Sequence, residues 1–110
     1  MTTCYFWLID DNSDSIKKVR IEGHAGFQDY GKDIVCSAIS TAVIFSCNLL
    51  EKVSPKNRIY SDEKKGVIEL EVLDSDKMNY LITRNLYETL IDLSSQYPRF
   101  IKILKEEITC

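Results

Sequence analysis

The sequence predicts an α+β domain in which a single layer of two helices covers an antiparallel sheet, in the order ββαββαβ. Three observations carry this. Short β-branched and aromatic runs come in two pairs, each joined by a few turn-forming residues, as in hairpins. Each pair is followed by a segment with apolar residues at three- and four-residue steps, as in helices. The chain has 110 residues and 45% hydrophobic content, enough for one domain, residues 1–110, with a core of its own and too little for two.

Residues 4–9 form the first aromatic and β-branched run, in which Tyr5, Phe6 and Trp7 read as strand-core residues. The cluster Asp10, Asp11, Asn12, Ser13 and Asp14 supplies a turn, and residues 16–22 alternate imperfectly, which completes a hairpin. The second strand delivers His24 at its end. Residues 26–32 follow no period, and Gly26 and Gly31 permit bending or movement, so the segment reads as a functional loop.

Residues 34–53 make the clearest helix, with Val35, Ile39, Ala42, Val43, Cys47 and Leu50 in step and Asp33 as its N-cap. It is apolar nearly all round, which asks for burial against its own sheet and against a second subunit. Pro55 ends it by disfavouring helical geometry at Ser54. A second hairpin follows, with strands over 58–60 and 67–72 and a turn at 63–66. Asp74, Ser75 and Asp76 form an N-cap cluster for a helix over 77–96, whose apolar face holds Leu81, Ile82, Leu86, Leu90, Ile91 and Leu93. Pro98 interrupts it, and residues 100–105 read as a last strand from their β-branched and aromatic content. No repeat, low-complexity tract or linker divides the chain.

The formal charge of −3 gives no general attraction to nucleic-acid phosphates, and Lys17, Lys18 and Arg20 are too sparse a run to suggest direct nucleic-acid binding. The opening residues lack a basic region ahead of an apolar one, and no window reaches roughly 18 uninterrupted apolar residues, so a cytoplasmic protein without a membrane span is expected. Cys36 and Cys47 lie on one predicted helix, about 16 Å apart and beyond reach of a disulfide. Cys4 and Cys110 have no metal-type spacing, so free thiols, no metal and no cofactor are expected.

The chemistry concentrates in Gly23-His24-Ala25 and in Gly31-Lys32-Asp33-Ile34-Val35-Cys36-Ser37-Ala38-Ile39-Ser40, which bring the single histidine toward a cysteine at a helix start. A thiol is a useful nucleophile as thiolate, which a helix N-terminus and a nearby imidazolium both favour. With Asp33 as cap, Cys36 stands third in the helix, among N–H groups without intrahelical acceptors. The Asp33 carboxylate opposes a thiolate, so its role is to hold the helix start or to orient His24. Ser40, four residues on, shares a face with Cys36. By residue type alone, a free cysteine is more often a small core hydrophobe, and a lone histidine more often structural.

These residues resemble the signature of the bacterial ribosomal-processing cysteine protease family, small enzymes that trim the N-terminal extension of one large-subunit ribosomal protein. The glycine–histidine pair, the glycine-bounded loop and the Asp-Ile-Val-Cys helix opening carry the resemblance, and length and element order agree with it. It implies a Cys-His endopeptidase in which His24 and Cys36 are catalytic and Asp33 and Ser40 support them. Gly26, Phe27, Tyr30 and Gly31 then belong to a substrate loop, where the two aromatics either contact substrate or pack the loop down. It further implies a homodimer, an apolar groove beside Cys36, and cleavage of ribosomal protein twenty-seven after paired aromatic residues. Ser37 stands where alanine is also usual. Two other classes use the same residues differently: a ribosome-associated binding module, which does not need His24, and a thiol redox sensor, which needs a resolving cysteine that no neighbour supplies.

Overall fold

The computed structural model describes residues 2–10, 13–23, 30–53, 56–62, 64–74 and 76–107. The chain forms β1 (Thr2–Asp10), β2 (Ser13–Glu22), α1 (Tyr30–Val53), β3 (Asn57–Asp62), β4 (Val67–Val72), α2 (Lys77–Gln96) and β5 (Ile101–Glu107), so the predicted order ββαββαβ and the α+β class hold. The strands make one sheet in the order β3-β4-β2-β1-β5. Both predicted hairpins pair antiparallel, as do β2 and β4, whereas β5 runs parallel to β1. The sheet is thus antiparallel, as expected, in all but this one pair. A helix of 20 residues carries the chain back about 30 Å, so β5 starts at the same end of the sheet as β4 and runs with it. Because β4 and β1 are both antiparallel to β2, β5 is parallel to β1. By the same return, α1 sets β3 parallel to β2.

Alternation along β1 decides which side chains reach the helices. Thr2, Cys4, Phe6 and Leu8 are buried, whereas Thr3, Tyr5 and Trp7 point to the opposite, open face. Of the three aromatics expected in the core, only Phe6 is there, edge-on to Tyr87 of α2 at 4.8 Å between ring centroids. Tyr5 and Trp7 instead stack on each other at 5.7 Å, with Lys18 Nζ lying 5.3 Å from the Trp7 ring centroid. Lys18 and Arg20 each pair with Glu69, at 2.7 and 3.1 Å, and Arg20 also pairs with Glu22 at 2.6 Å. Lys18 and Arg20 of the short basic run are thereby matched by acids on their own sheet face, while Lys17 Nζ donates to the Val72 carbonyl at 2.6 Å.

The core lies between the sheet and both helices. Val35, Ile39, Val43, Cys47 and Leu50 of α1 and Leu86 and Leu90 of α2 close over Phe6, Val19, Ile21 and Leu70. On α2 the buried line is Asn79, Thr83, Leu86 and Leu90, while Leu81 and Ile91, expected on the apolar face, are exposed. Two polar residues hold core positions with local hydrogen bonds: Thr83 Oγ1 donates to the Asn79 carbonyl at 2.6 Å, and Asn79 Nδ2 donates to the Asp74 carbonyl, while Asn79 Oδ1 is buried without a partner. The stretch Ile34–Val53 is long and apolar enough to cross a membrane by length and composition. One side of it is the core just described, and Ile34, Ile44, Phe45, Leu49 and Val53 remain exposed on the other.

Candidate active site

The strand that leads to the histidine is held from two directions. Glu22, its last residue, faces Thr3 of β1 and Val67 of β4 in register. Gly23 follows with φ 85°, a conformation a Cβ disfavours, and its N–H donates to the Gly66 carbonyl at 3.0 Å. Gly66, in the turn between β3 and β4, itself has φ 66°. The second hairpin therefore fixes the residue from which the chain passes to His24. His24, Gly26 and Phe27 lie outside the described residues.

The helix begins at Tyr30, four residues before the expected start at Ile34. Tyr30, Gly31 and Lys32, assigned to a loop from the sequence, are thus helical, Asp33 is the fourth residue of α1 rather than its cap, and Cys36 is the seventh. The physical reason lies in the first turn. Its amides have no intrahelical acceptors, it needs no apolar periodicity, and an acid there is favoured by the helix dipole. A glycine–acid sequence accordingly fits a first helical turn as well as it fits a loop and a cap. Cys36 is in consequence one turn deeper than expected, and the field of the helix end, which fades within the first turn, reaches it weakly.

What Cys36 does touch is the start of β1. Its Sγ lies 3.6 Å from Thr2 Oγ1, in a partly buried setting. Thr2 is 2% exposed and its N–H donates to the Phe100 carbonyl at 2.8 Å, just ahead of Ile101, its partner in β5. The sulfur therefore sits over the end of the sheet where β1 begins and β2 stops, and His24 follows Glu22 by two residues. Ser40 is half-buried one turn further along α1. The contact of Thr2 with Cys36 was not legible in the sequence, because no local spacing links residues 34 apart; only the helix-facing alternation of β1 points to it.

The other described cysteines differ in kind. Burial pushes the Cys4 thiol up to about 12, and burial, followed by the charge of Glu51, pushes Cys47 up to about 11. Both are protonated core residues at neutral pH, as expected for Cys47. Cys36 alone among the described cysteines is accessible to solvent on one side, and all three are free thiols. Among the described residues, no three His, Cys, Asp or Glu side chains come together as a metal site.

The profile of the family described as cysteine protease Prp matches residues 1–102. The chain belongs to this family. It is accordingly a cysteine protease, a peptide hydrolase that works through a thiol. Among solved structures, SMU.848 from Streptococcus mutans is similar with a TM-score of 0.88 at 24% identity, over 98% of this chain and 96% of that one. The essential ribosomal processing protease Prp from S. aureus, in complex with a substrate peptide, gives 0.88 at 22% identity over 96% of this chain and 100% of its own. The same S. aureus protease with a covalently linked product peptide gives 0.84 at 23% identity over the same shares. These likenesses establish the fold that the Prp family shares. No curated protein sequence matches the chain.

Proposed function

We propose that this Prp-family chain is a cytoplasmic endopeptidase that removes the N-terminal extension of large-subunit ribosomal protein twenty-seven through a Cys36–His24 dyad. The observation that carries the reading is the placement of Cys36, the one half-exposed thiol among the described residues, over the sheet end at which β2 leads into the single histidine. Substrate class follows from the resemblance of the Gly-His and Asp-Ile-Val-Cys segments to ribosomal-processing proteases. The S. aureus structures with a substrate peptide and a covalently linked product peptide support both the peptide substrate and a covalent route.

In this mechanism His24 takes the Cys36 proton, and the thiolate attacks the scissile carbonyl to give a tetrahedral oxyanion. Collapse breaks the C–N bond, His24 gives the proton to the leaving amine, and a thioester to Cys36 remains. Water, deprotonated by His24, then attacks the thioester and restores the thiol. Asp33, on the first turn of α1, is assigned to orienting His24, since the helix starts ahead of it. Ser40 follows Cys36 on the same side of the helix and supports it. Residues 26–29, with Tyr30 and Gly31 of the helix start, are assigned to closure over the peptide, which would join histidine and cysteine when substrate is present.

The test is cleavage of an extended ribosomal-protein N-terminus, with the cut located by mass spectrometry. Cys36→Ala, Cys36→Ser and His24→Ala should each reduce turnover by about 10³-fold or more with the fold intact, because members of one catalytic unit fail together. Cys47→Ala should cleave at nearly the wild-type rate. Retained turnover in a Cys36 variant would overturn the mechanism.

A further inference from the structure

The proposed mechanism uses a histidine and a cysteine, yet the group that touches the sulfur is a hydroxyl from the far end of another element. Thr2 Oγ1 is 3.6 Å from Cys36 Sγ, within the reach of a hydrogen bond to sulfur. The hydroxyl is not free to wander. Thr2 is 2% exposed, its amide is tied to the Phe100 carbonyl at 2.8 Å, and its branched Cβ restricts χ1. At this site a structural hydroxyl would be satisfied as well by a carbonyl of its own strand neighbourhood, but this one faces the only half-exposed thiol among the described residues.

Resting on the assignment of Cys36 as nucleophile, we infer that Thr2 is a further residue of the catalytic site, donating its hydroxyl proton to the Cys36 sulfur and holding it in one orientation for attack. In the neutral pair either atom serves as donor, whereas a thiolate only accepts, so the contact becomes a charge-assisted O–H···S⁻ bond once the proton has gone to the base. The burial of Thr2 strengthens it, because little water competes for a hydroxyl on a residue 2% exposed. The bond also gives the sulfur a second point of support after its own helix. When the thioester forms, the sulfur loses its charge and the contact weakens, so its contribution is concentrated before acylation. No atom is transferred through Thr2; its proton stays on oxygen throughout.

The experiment compares Thr2→Val, which keeps shape and loses the hydroxyl, with Thr2→Ser, which keeps the hydroxyl. Two readouts are taken at neutral pH: iodoacetamide alkylation of Cys36, resolved from the other cysteines by peptide mass spectrometry, and peptide cleavage. Thr2→Val should slow alkylation severalfold and lower kcat about tenfold with KM within twofold, and Thr2→Ser should restore both to within about threefold of wild type. Should the valine variant fail to fold, Thr2→Ala is measured in its place with the same expectation. Wild-type alkylation and kcat in the hydroxyl-free variant would overturn the inference, as would a serine variant as impaired as the valine one. Alkylation does not depend on the peptide, so a wild-type protein that alkylates normally but cleaves nothing would refute the proposed substrate and still decide the role of Thr2.

Discussion

Burial sorts the described cysteines into two working classes. In Cys4 and Cys47 an apolar surround would strand a thiolate without solvation, so the proton is retained far above neutrality. This has a sign for stability. The unfolded chain releases the Cys4 proton near the ordinary value of 9.0, while the fold keeps it to about 12. Between those limits the folded state binds more protons, so stability is complete below pH 9 and falls as pH rises through the window. At roughly pH 10.5 the loss from Cys4 alone is on the order of 2 kcal/mol, with a further loss from Cys47. Denaturant midpoints measured at about pH 8 and 10.5 check it. Cys4→Ala should be the less stable protein at the lower pH and lose less on alkalinisation; equal losses would clear Cys4. Cys36 stands outside this class, half-exposed and in contact with a hydroxyl.

At the scale of elements, α2 shows how a local signal fixes a boundary. Asp76 is its N-cap, with Oδ1 accepting from the Asn79 N–H at 2.8 Å. Asp76→Ala should cost about 1 kcal/mol in thermal or denaturant unfolding, and Asp76→Ser much less. An unchanged Asp76→Ala protein would mean that the cap is redundant. Because this cap and Pro98 sit in the sequence next to the turns they govern, α2 was legible to the residue, as was the alternation of β4. The start of α1 was not, because Gly31 and Asp33 suit two local structures equally. Strand direction was illegible in β5 for a different reason: parallel or antiparallel pairing depends on where a helix returns the chain, which residues 100–105 do not encode. Tyr5 and Trp7 were misplaced because β-branched and aromatic content identifies a strand without saying which of its faces is covered. At the site, His24 and Cys36 were singled out by the resemblance of their motif and His24 lies outside the described residues, while the contact between Thr2 and Cys36 needed the third dimension.

Considered whole, the molecule leaves a run of large apolar side chains uncovered along α1. Ile34, Ile44, Leu49 and Val53 of α1 are exposed, and Phe45 is 70% exposed beside them. The sheet and α2 already cover the opposite side of that helix, so a second copy of the chain is the expected cover, in keeping with the homodimer implied by the family resemblance. Light scattering at micromolar concentration should report twice the mass of one chain, and Phe45→Glu should halve it. A wild-type monomer would reject the assembly.

The neighbourhood of β1 and β5 also bears on when the enzyme comes alive. β1 leaves the ribosome well before β5, yet the Thr2 amide finds its acceptor on Phe100, and the sheet gains its outer strand only once residues 101–107 have been synthesised. Until then Thr2 has no fixed place, and the sulfur it faces has no fixed support. The link spans about a hundred residues, among the most distant pairings such a chain can make and the last to be rewarded by loop closure. A chain that has not yet formed β5 is therefore an unfinished protease, so completion of the sheet and assembly of the thiol site are one folding event.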